Sequence, residues 1–165
     1  MELRQPPIRV VFVLLPGSLV LDWAGPAEAL RIANQRLRAA GQPERFEIEF
    51  ASPRPTSVGS VGVALANLAP LPTQWHGPAW VVLVGLPGDF IAIDNAETQD
   101  LLHWLRGQRF ERGRLELVTV CAGALLAAHA GALSGRRATT HHHHLHPLRP
   151  VEPRCLVVAN RLFGV

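Results

Sequence analysis

Lysine and tyrosine are absent from this chain of 165 residues, and methionine occurs once. All 16 basic residues are therefore arginine. They are scattered, and the formal net charge is only +3. The densest group, Arg106, Arg109, Arg112 and Arg114, is interrupted by Glu111 and followed by Glu116. The high isoelectric point thus reflects arginine used in place of lysine, and does not define a nucleic-acid surface. Cysteine is scarce, with one residue at 121 and one at 155. Two cysteines and no secretory pattern exclude a disulfide scaffold. No apolar run approaches the roughly 20 residues a membrane-spanning helix needs. Residues 1–7 carry charge and two prolines and no signal-peptide pattern. The expectation is a cytoplasmic protein without membrane contact. Charged residues make up 18% and hydrophobic residues 48%, a balance that excludes global disorder and lets one domain bury a core.

What is present is an alternation of apolar runs and helical patterns. Residues 9–15 (RVVFVLL) and 80–84 read as fully buried parallel strands, residues 46–51 as an alternating strand, and residues 114–120 (RLELVTV) as a further strand. Helices are expected over 27–40, with Pro26 at the first helical position, over 95–107, and over 122–130. Residues 53–62 read as a loop, and 61–65 as one arm of a hairpin. Short strands are expected at 136–139 and 154–160, and a helical turn or two at 141–148. This order predicts a three-layer α/β sandwich with a mostly parallel, flavodoxin-like sheet, as a single domain over residues 1–165. Ligands of such sheets bind beyond the carboxyl ends of the strands. The loops at 16–26, 85–89 and 121–123 should converge there.

Cys121 stands directly between the strand LELVTV and the helix AGALLAAHAG. A residue at such a turn projects above the sheet, in the manner of a nucleophile elbow, and the small residues Ala122, Gly123 and Ala124 permit close packing. A helix N-terminus behind the sulfur favours thiolate, so a lowered thiol pKa is expected. The Ala122 N–H reads as an oxyanion donor, with a second near Gly85 or Leu86. Against this stands the plain reading of Cys121 as a small buried apolar residue.

Residues 120–141 (VCAGALLAAHAGALSGRRATTH), 14–34 (LLPGSLVLDWAGPAEALRIAN) and 81–88 (VVLVGLPG) together resemble the ThiJ/PfpI superfamily, with the class I glutamine amidotransferase-like fold. They are most like the N-terminal domain of GlxA-type AraC family transcriptional regulators, where the elbow is followed by a segment of the AGLL…GRRATTHW kind. The resemblance implies that Asp22 in the first loop faces Cys121, as in the isonitrile hydratases of this superfamily. Two readings of Asp22 stand side by side, a general acid or base against the thiol and a cap of the following helix. Glu28 reads as a solvated residue. The hydratases carry Thr after the elbow Cys, where this chain has Ala122, and that departure favours a sensor over an enzyme. His141 matches the family histidine and reads as pocket-lining, and His142 replaces the usual Trp.

Gly85, Leu86, Ala122 and His141 are the expected ligand-binding residues, beside Cys121 and Asp22 as the catalytic candidates. The five histidines at 141–144 and 146 suggest a metal, with 142/146 and 141/144 sharing helical faces. No cysteine or carboxylate accompanies them in sequence, and no metal or cofactor is assigned. His129 reads as a residue at the edge of the core, and Cys155 as a buried strand thiol.

The resemblance also implies that relatives continue through another strand, a Ser-Ala-Gly loop and a long helix. Regulators then add a helix-turn-helix domain. These 165 residues contain no helix-turn-helix pattern, so DNA would be reached only through a domain absent from this chain. Homodimers with a small-molecule ligand are the expected partners. Three functions compete: a ligand-sensing and dimerisation domain of an AraC-family (GlxA-type) regulator, a hydratase or amidase using Cys121 and Asp22, and a stress protein with a reactive Cys121. The first is favoured.

Overall fold

The computed structural model describes residues 6–88, 90–159 and 161–164. Asp89 and Asn160, at the ends of an expected loop and an expected strand, lie outside the described residues, as do residues 1–5 and Val165.

Among the described residues four strands form the central sheet: β1 (Ile8–Val13), β2 (Phe46–Ala51), β5 (Ala79–Leu83) and β6 (Leu115–Thr119). Their order is β2-β1-β5-β6 and every pairing is parallel. The continuous β-branched runs make this arrangement necessary, because strands covered on both faces have no solvated side for polar residues. Val10, Val11, Phe12 and Val13 are accordingly buried without interruption. Val11, Val13, Val81 and Leu83 face one way and pack with α2 (Ala96–Arg106) and α3 (Gly123–His129). Val10, Phe12 and Val82 face the other way and pack with Trp23, Ala27 and Leu30 of α1 (Val20–Ala39). The result is the expected three-layer sandwich.

Most elements fall within a residue or two of their sequence signals. Asn95 ends the approach to α2 by accepting a hydrogen bond from the Thr98 N–H at 2.9 Å, which satisfies one orphan donor of the first turn. The hairpin is smaller than expected, with β3 (Ser57–Val58) antiparallel to β4 (Ala64–Leu65). Residues 59–63 are taken up by its turn, closed by the Gly59 N–H to the Val63 carbonyl. Near the end of the described chain, β7 (Arg137–Ala138) and β8 (Leu156–Val157) form a separate parallel pair outside the main sheet. Between them lie one 3-10 turn at His142–His144 and α4 (Leu145–Val151).

The start of α1 requires a correction. The helix begins at Val20 and carries Pro26 in its interior, six residues beyond its first. Tertiary tethers place the first turn there. The Leu19 N–H donates to the Gly85 carbonyl at 2.9 Å, and the Val20 N–H donates to Ser60 Oγ at 3.3 Å. Pro26 is tolerated at the cost of one bond, since it offers no N–H to the carbonyl four positions back, that of Asp22.

At its far end α1 is fixed to the sheet by a single buried polar side chain. Asn34 Oδ1 accepts from the N–H groups of Arg45 and Phe46 at 3.0 and 3.1 Å, and its Nδ2 donates to the Phe46 carbonyl at 2.7 Å. Three main-chain groups at the entry to β2 thus find their partners in one amide. Asn34→Ala should lower unfolding stability by about 2–3 kcal/mol, because the main-chain groups lose that partner inside the protein. Urea denaturation of the two proteins checks this, and a change below about 0.5 kcal/mol would mean that water replaces the amide.

Candidate functional site

The order β2-β1-β5-β6 reverses direction between β1 and β5, which makes the gap beyond their carboxyl ends the topological switch point. Three chain segments meet there. After β1, the segment leading into α1 is held to the end of β5 by the bond from Leu19 to Gly85. After β5, Gly85 approaches so closely that an added Cβ would stand 2.6 Å from Asp22 Oδ2, 3.0 Å from Cys121 Cβ and 3.1 Å from Leu19 Cδ1. After β6, Cys121 turns the chain into α3 with φ of 52°, a left-handed conformation rare for a residue with a side chain. The three loops expected to converge therefore do so, with Gly85 filling the space between Asp22 and Cys121.

Gly123 explains how α3 comes so near. A Cβ there would lie 2.2 Å from the Leu83 carbonyl oxygen and 2.7 Å from its carbon. Only glycine allows the helix to start against the backbone of β5. Ala122 and Ala124 beside it are completely buried. The turn is pinned from the other side by Thr140, whose Oγ1 donates to the Cys121 carbonyl at 2.7 Å.

Asp22 sits in the first turn of α1, not in the loop before it. It does not cap the helix: Leu19 is the capping residue and makes no side-chain bond. Instead Asp22 Oδ2 accepts the Gly85 N–H at 3.0 Å. This answers the capping alternative and also alters the expected oxyanion pair, because the Gly85 N–H already has an acceptor. The Ala122 N–H is directed at the Cys121 sulfur. Leu86 is half-buried and packs against the core.

The thiol itself departs from expectation. Burial pushes the Cys121 pKa up, the hydrogen bond from Ala122 opposes that, and the charge of Asp22 pushes it further up. Desolvation and a neighbouring carboxylate outweigh one N–H and a helix of seven residues. Cys155 is also raised, by burial and by Glu152, and lies within the core. His129, half-buried at the end of α3, is lowered by burial and by Arg106. Glu28 is exposed and pairs with Arg31 one turn on.

A cleft of about 880 Å³ runs along the outer side of β6 and ends on Cys121. Leu117 and Val118 of β6 line one side, Thr140 and His141 lie at its Cys121 end, and Arg136 and Arg161 add charge. Of the expected ligand-binding residues, His141 borders this cleft; Gly85, Leu86 and Ala122 do not. Sequence reasoning missed Thr140, although it sits immediately before His141 in the ATTH segment, and missed the arginines, which no local motif connects. A smaller cavity of about 450 Å³ lies on the α1 side between Trp23, Phe50 and Leu65.

A switch-point cysteine on a tight strand-to-helix turn, with an aspartate across a glycine, marks the carboxyl edge of this α/β domain. Solved structures support that fold. An AraC family transcriptional regulator from Pseudomonas putida superposes with a TM-score of 0.71 at 18% identity, over 95% of this chain and 80% of that one. A ThiJ/PfpI family protein from Pseudomonas syringae gives 0.70 at 19% identity, over 95% and 59%. The chain belongs to the family of the Streptomyces lividans protein described as the uncharacterized protein in the cpoL 5′ region, to which it is 35% identical over 142 residues, 84% of this chain and 90% of that one. It is also 30% identical over 154 residues to the HTH-type transcriptional regulator CdhR of Pseudomonas aeruginosa, covering 93% of this chain but only 42% of the regulator. No protein-family model matches the chain.

Asp22→Asn tests the electrostatics of the site. The amide can still accept the Gly85 N–H while the negative charge beside the sulfur is gone. The Cys121 pKa should fall, so iodoacetamide should alkylate Cys121 several-fold faster near pH 8 in the variant, with the two rates converging at higher pH. Peptide mapping reads the site, and identical pH profiles would show that the carboxylate does not act on the thiol.

Proposed function

We propose that this chain is the ligand-sensing and dimerisation domain of an AraC-family, GlxA-type transcriptional regulator, and that it holds a small molecule in the cleft ending on Cys121. The observation that carries the reading is that cleft: an 880 Å³ space, part apolar and part arginine-lined, that reaches the strained turn at the sheet's switch point. Similarity to CdhR supports the regulator class. In this reading residues 1–165 form one domain, and Cys121 occupies a nucleophile elbow used for recognition. Cys121 lines this pocket, and burial and Asp22 push its thiol pKa up. DNA would be bound through a helix-turn-helix domain outside these residues. A cytoplasmic location is part of the same proposal. No helix among the described residues is long and apolar enough to cross a membrane.

The alternative is a hydratase or amidase using Cys121 and Asp22, and their closeness across Gly85 favours it. Three features weigh against it. The thiol pKa is raised, the Gly85 donor is engaged, and Ala122 supplies no hydroxyl. A sensor must bind its effector without consuming it. A thermal-shift screen of small carboxylates, amides and isonitriles should yield a compound that raises the melting temperature of the protein. It should be recovered unchanged by mass spectrometry, and the shift should vanish in Cys121→Trp, whose side chain fills the end of the cleft. Conversion of an amide or isonitrile at a rate that depends on Cys121 would replace the sensor reading with the enzyme.

Homodimerisation belongs to the same proposal. Leu21, Phe90, Leu162 and Phe163 expose large apolar side chains, and covering such surface yields roughly 25 cal/mol per Å² removed from water. Light scattering over a dilution series should give a dimeric mass at micromolar concentration. A monomer throughout would remove the dimerisation role.

A further inference from the structure

The histidine run does not form the helix that would spread its rings over two faces. His141 is extended, with φ −56° and ψ 141°, and residues 142–144 form a 3-10 turn that leads into α4. The side chains of His141, His142 and His143 gather as a consequence. One ring nitrogen from each lies within 4.8 Å of the other two. Their ring centroids are 4.2 Å apart for His141 and His142, 4.1 Å for His142 and His143, and 5.1 Å for His141 and His143. All three are exposed, so a dissolved ion reaches them without any opening of the fold.

This cluster differs from a flexible histidine tail because its backbone is held at both ends. The His144 N–H donates to the His141 carbonyl at 2.8 Å and closes the turn. His144 itself is buried, with its Nε2 3.1 Å from the Gly88 carbonyl oxygen beyond β5. On the other side Thr140 is bonded to the Cys121 carbonyl at 2.7 Å. The three rings are therefore carried on a turn fastened to two of the loops at the switch point, and little backbone freedom is lost when they close on an ion.

We propose that His141, His142 and His143 form a binding site for a divalent transition-metal ion of the imidazole-preferring class, Zn²⁺, Ni²⁺ or Cu²⁺. The donor set selects that class. Neutral imidazole nitrogens suit these ions, whereas Mg²⁺ and Ca²⁺ require oxygen donors and the cluster contains no carboxylate. Metal–nitrogen bonds of about 2.0–2.1 Å bring tetrahedral ligands to roughly 3.3 Å from one another. Side-chain rotation closes the present separations to that value by about 1.5 Å at most. Three protein ligands leave a coordination position for water or an exogenous donor. His141 also borders the cleft that ends on Cys121, so the ion stands at the rim of that cleft. The site is independent of the sensor reading, since it rests on the turn and not on the occupant of the cleft.

Cobalt(II) serves as the spectroscopic probe, titrated into the full chain at neutral pH and then displaced by Zn²⁺. One equivalent should bind with the visible bands of a low-coordinate ion. His141→Ala, His142→Ala and His143→Ala should each weaken Co²⁺ binding at least tenfold, while His146→Ala, in the neighbouring α4, should change it less than twofold. Circular dichroism should show the same folded spectrum for all four, because each side chain is exposed. If His146→Ala weakens binding as much as the others, or if each single substitution of the three leaves affinity within twofold, the metal is held by interchangeable histidines and the defined site is refuted. Weak octahedral spectra with several equivalents bound would refute it equally.

Discussion

The candidate site depends on how closely main chain can approach main chain at the carboxyl edge of the sheet. Gly85 and Gly123 are the two points of contact. At the first, a missing side chain lets Asp22, Cys121 and Leu19 share one small volume. At the second, it lets α3 begin against the backbone of β5. A methyl group at Gly123 would overlap main-chain atoms that have nowhere to move, since Leu83 and Val84 are in the centre of the core. The strained φ of Cys121 follows from the same geometry. The chain must leave a buried strand and enter a helix packed directly upon it, within one residue.

That compactness also fixes the electrostatics. Drawing three loops together removes water from the sulfur and places a carboxylate nearby, and both effects favour the neutral thiol. The helix N-terminus works in the opposite direction but comes from a short element whose first N–H groups lie among buried alanines. Arg136 and Arg161 add positive charge to the lining of the cleft that Cys121 also borders.

The fold was largely legible in the sequence because its signals are local. Runs such as VVFVLL and AWVVL read as covered strands, and α2 falls within the expected span 95–107. The errors arose where distant contacts decide. Pro26 looks like a helix start, yet α1 begins at Val20 because Leu19 is tied to Gly85, far along the chain. Asp22 looks like a cap of the following helix, and its observed partner is again Gly85. Cys121 was identified by its position between strand and helix, but the direction of its pKa shift depends on burial, which no local pattern encodes. The segment 141–148 reads as a helical turn or two, and a 3-10 turn leading into α4 forms there; the gathering of three of its rings depends on how His144 and Thr140 pin that turn.

Asn34 has a consequence for the order in which the chain assembles. Its bonds to residues 45 and 46 span only 11 and 12 positions, so they close a short loop. The pairing of β1 with β2 joins Ile8 to Phe46 and that of β1 with β5 joins Arg9 to Ala79, and closing the longer loop costs about 0.5 kcal/mol more in chain entropy. The β1–α1–β2 unit is thus the cheaper nucleus, and β5 adds to a surface already formed. The switch-point cluster is completed only when β5 docks, which makes the assembly of the site a late event in folding.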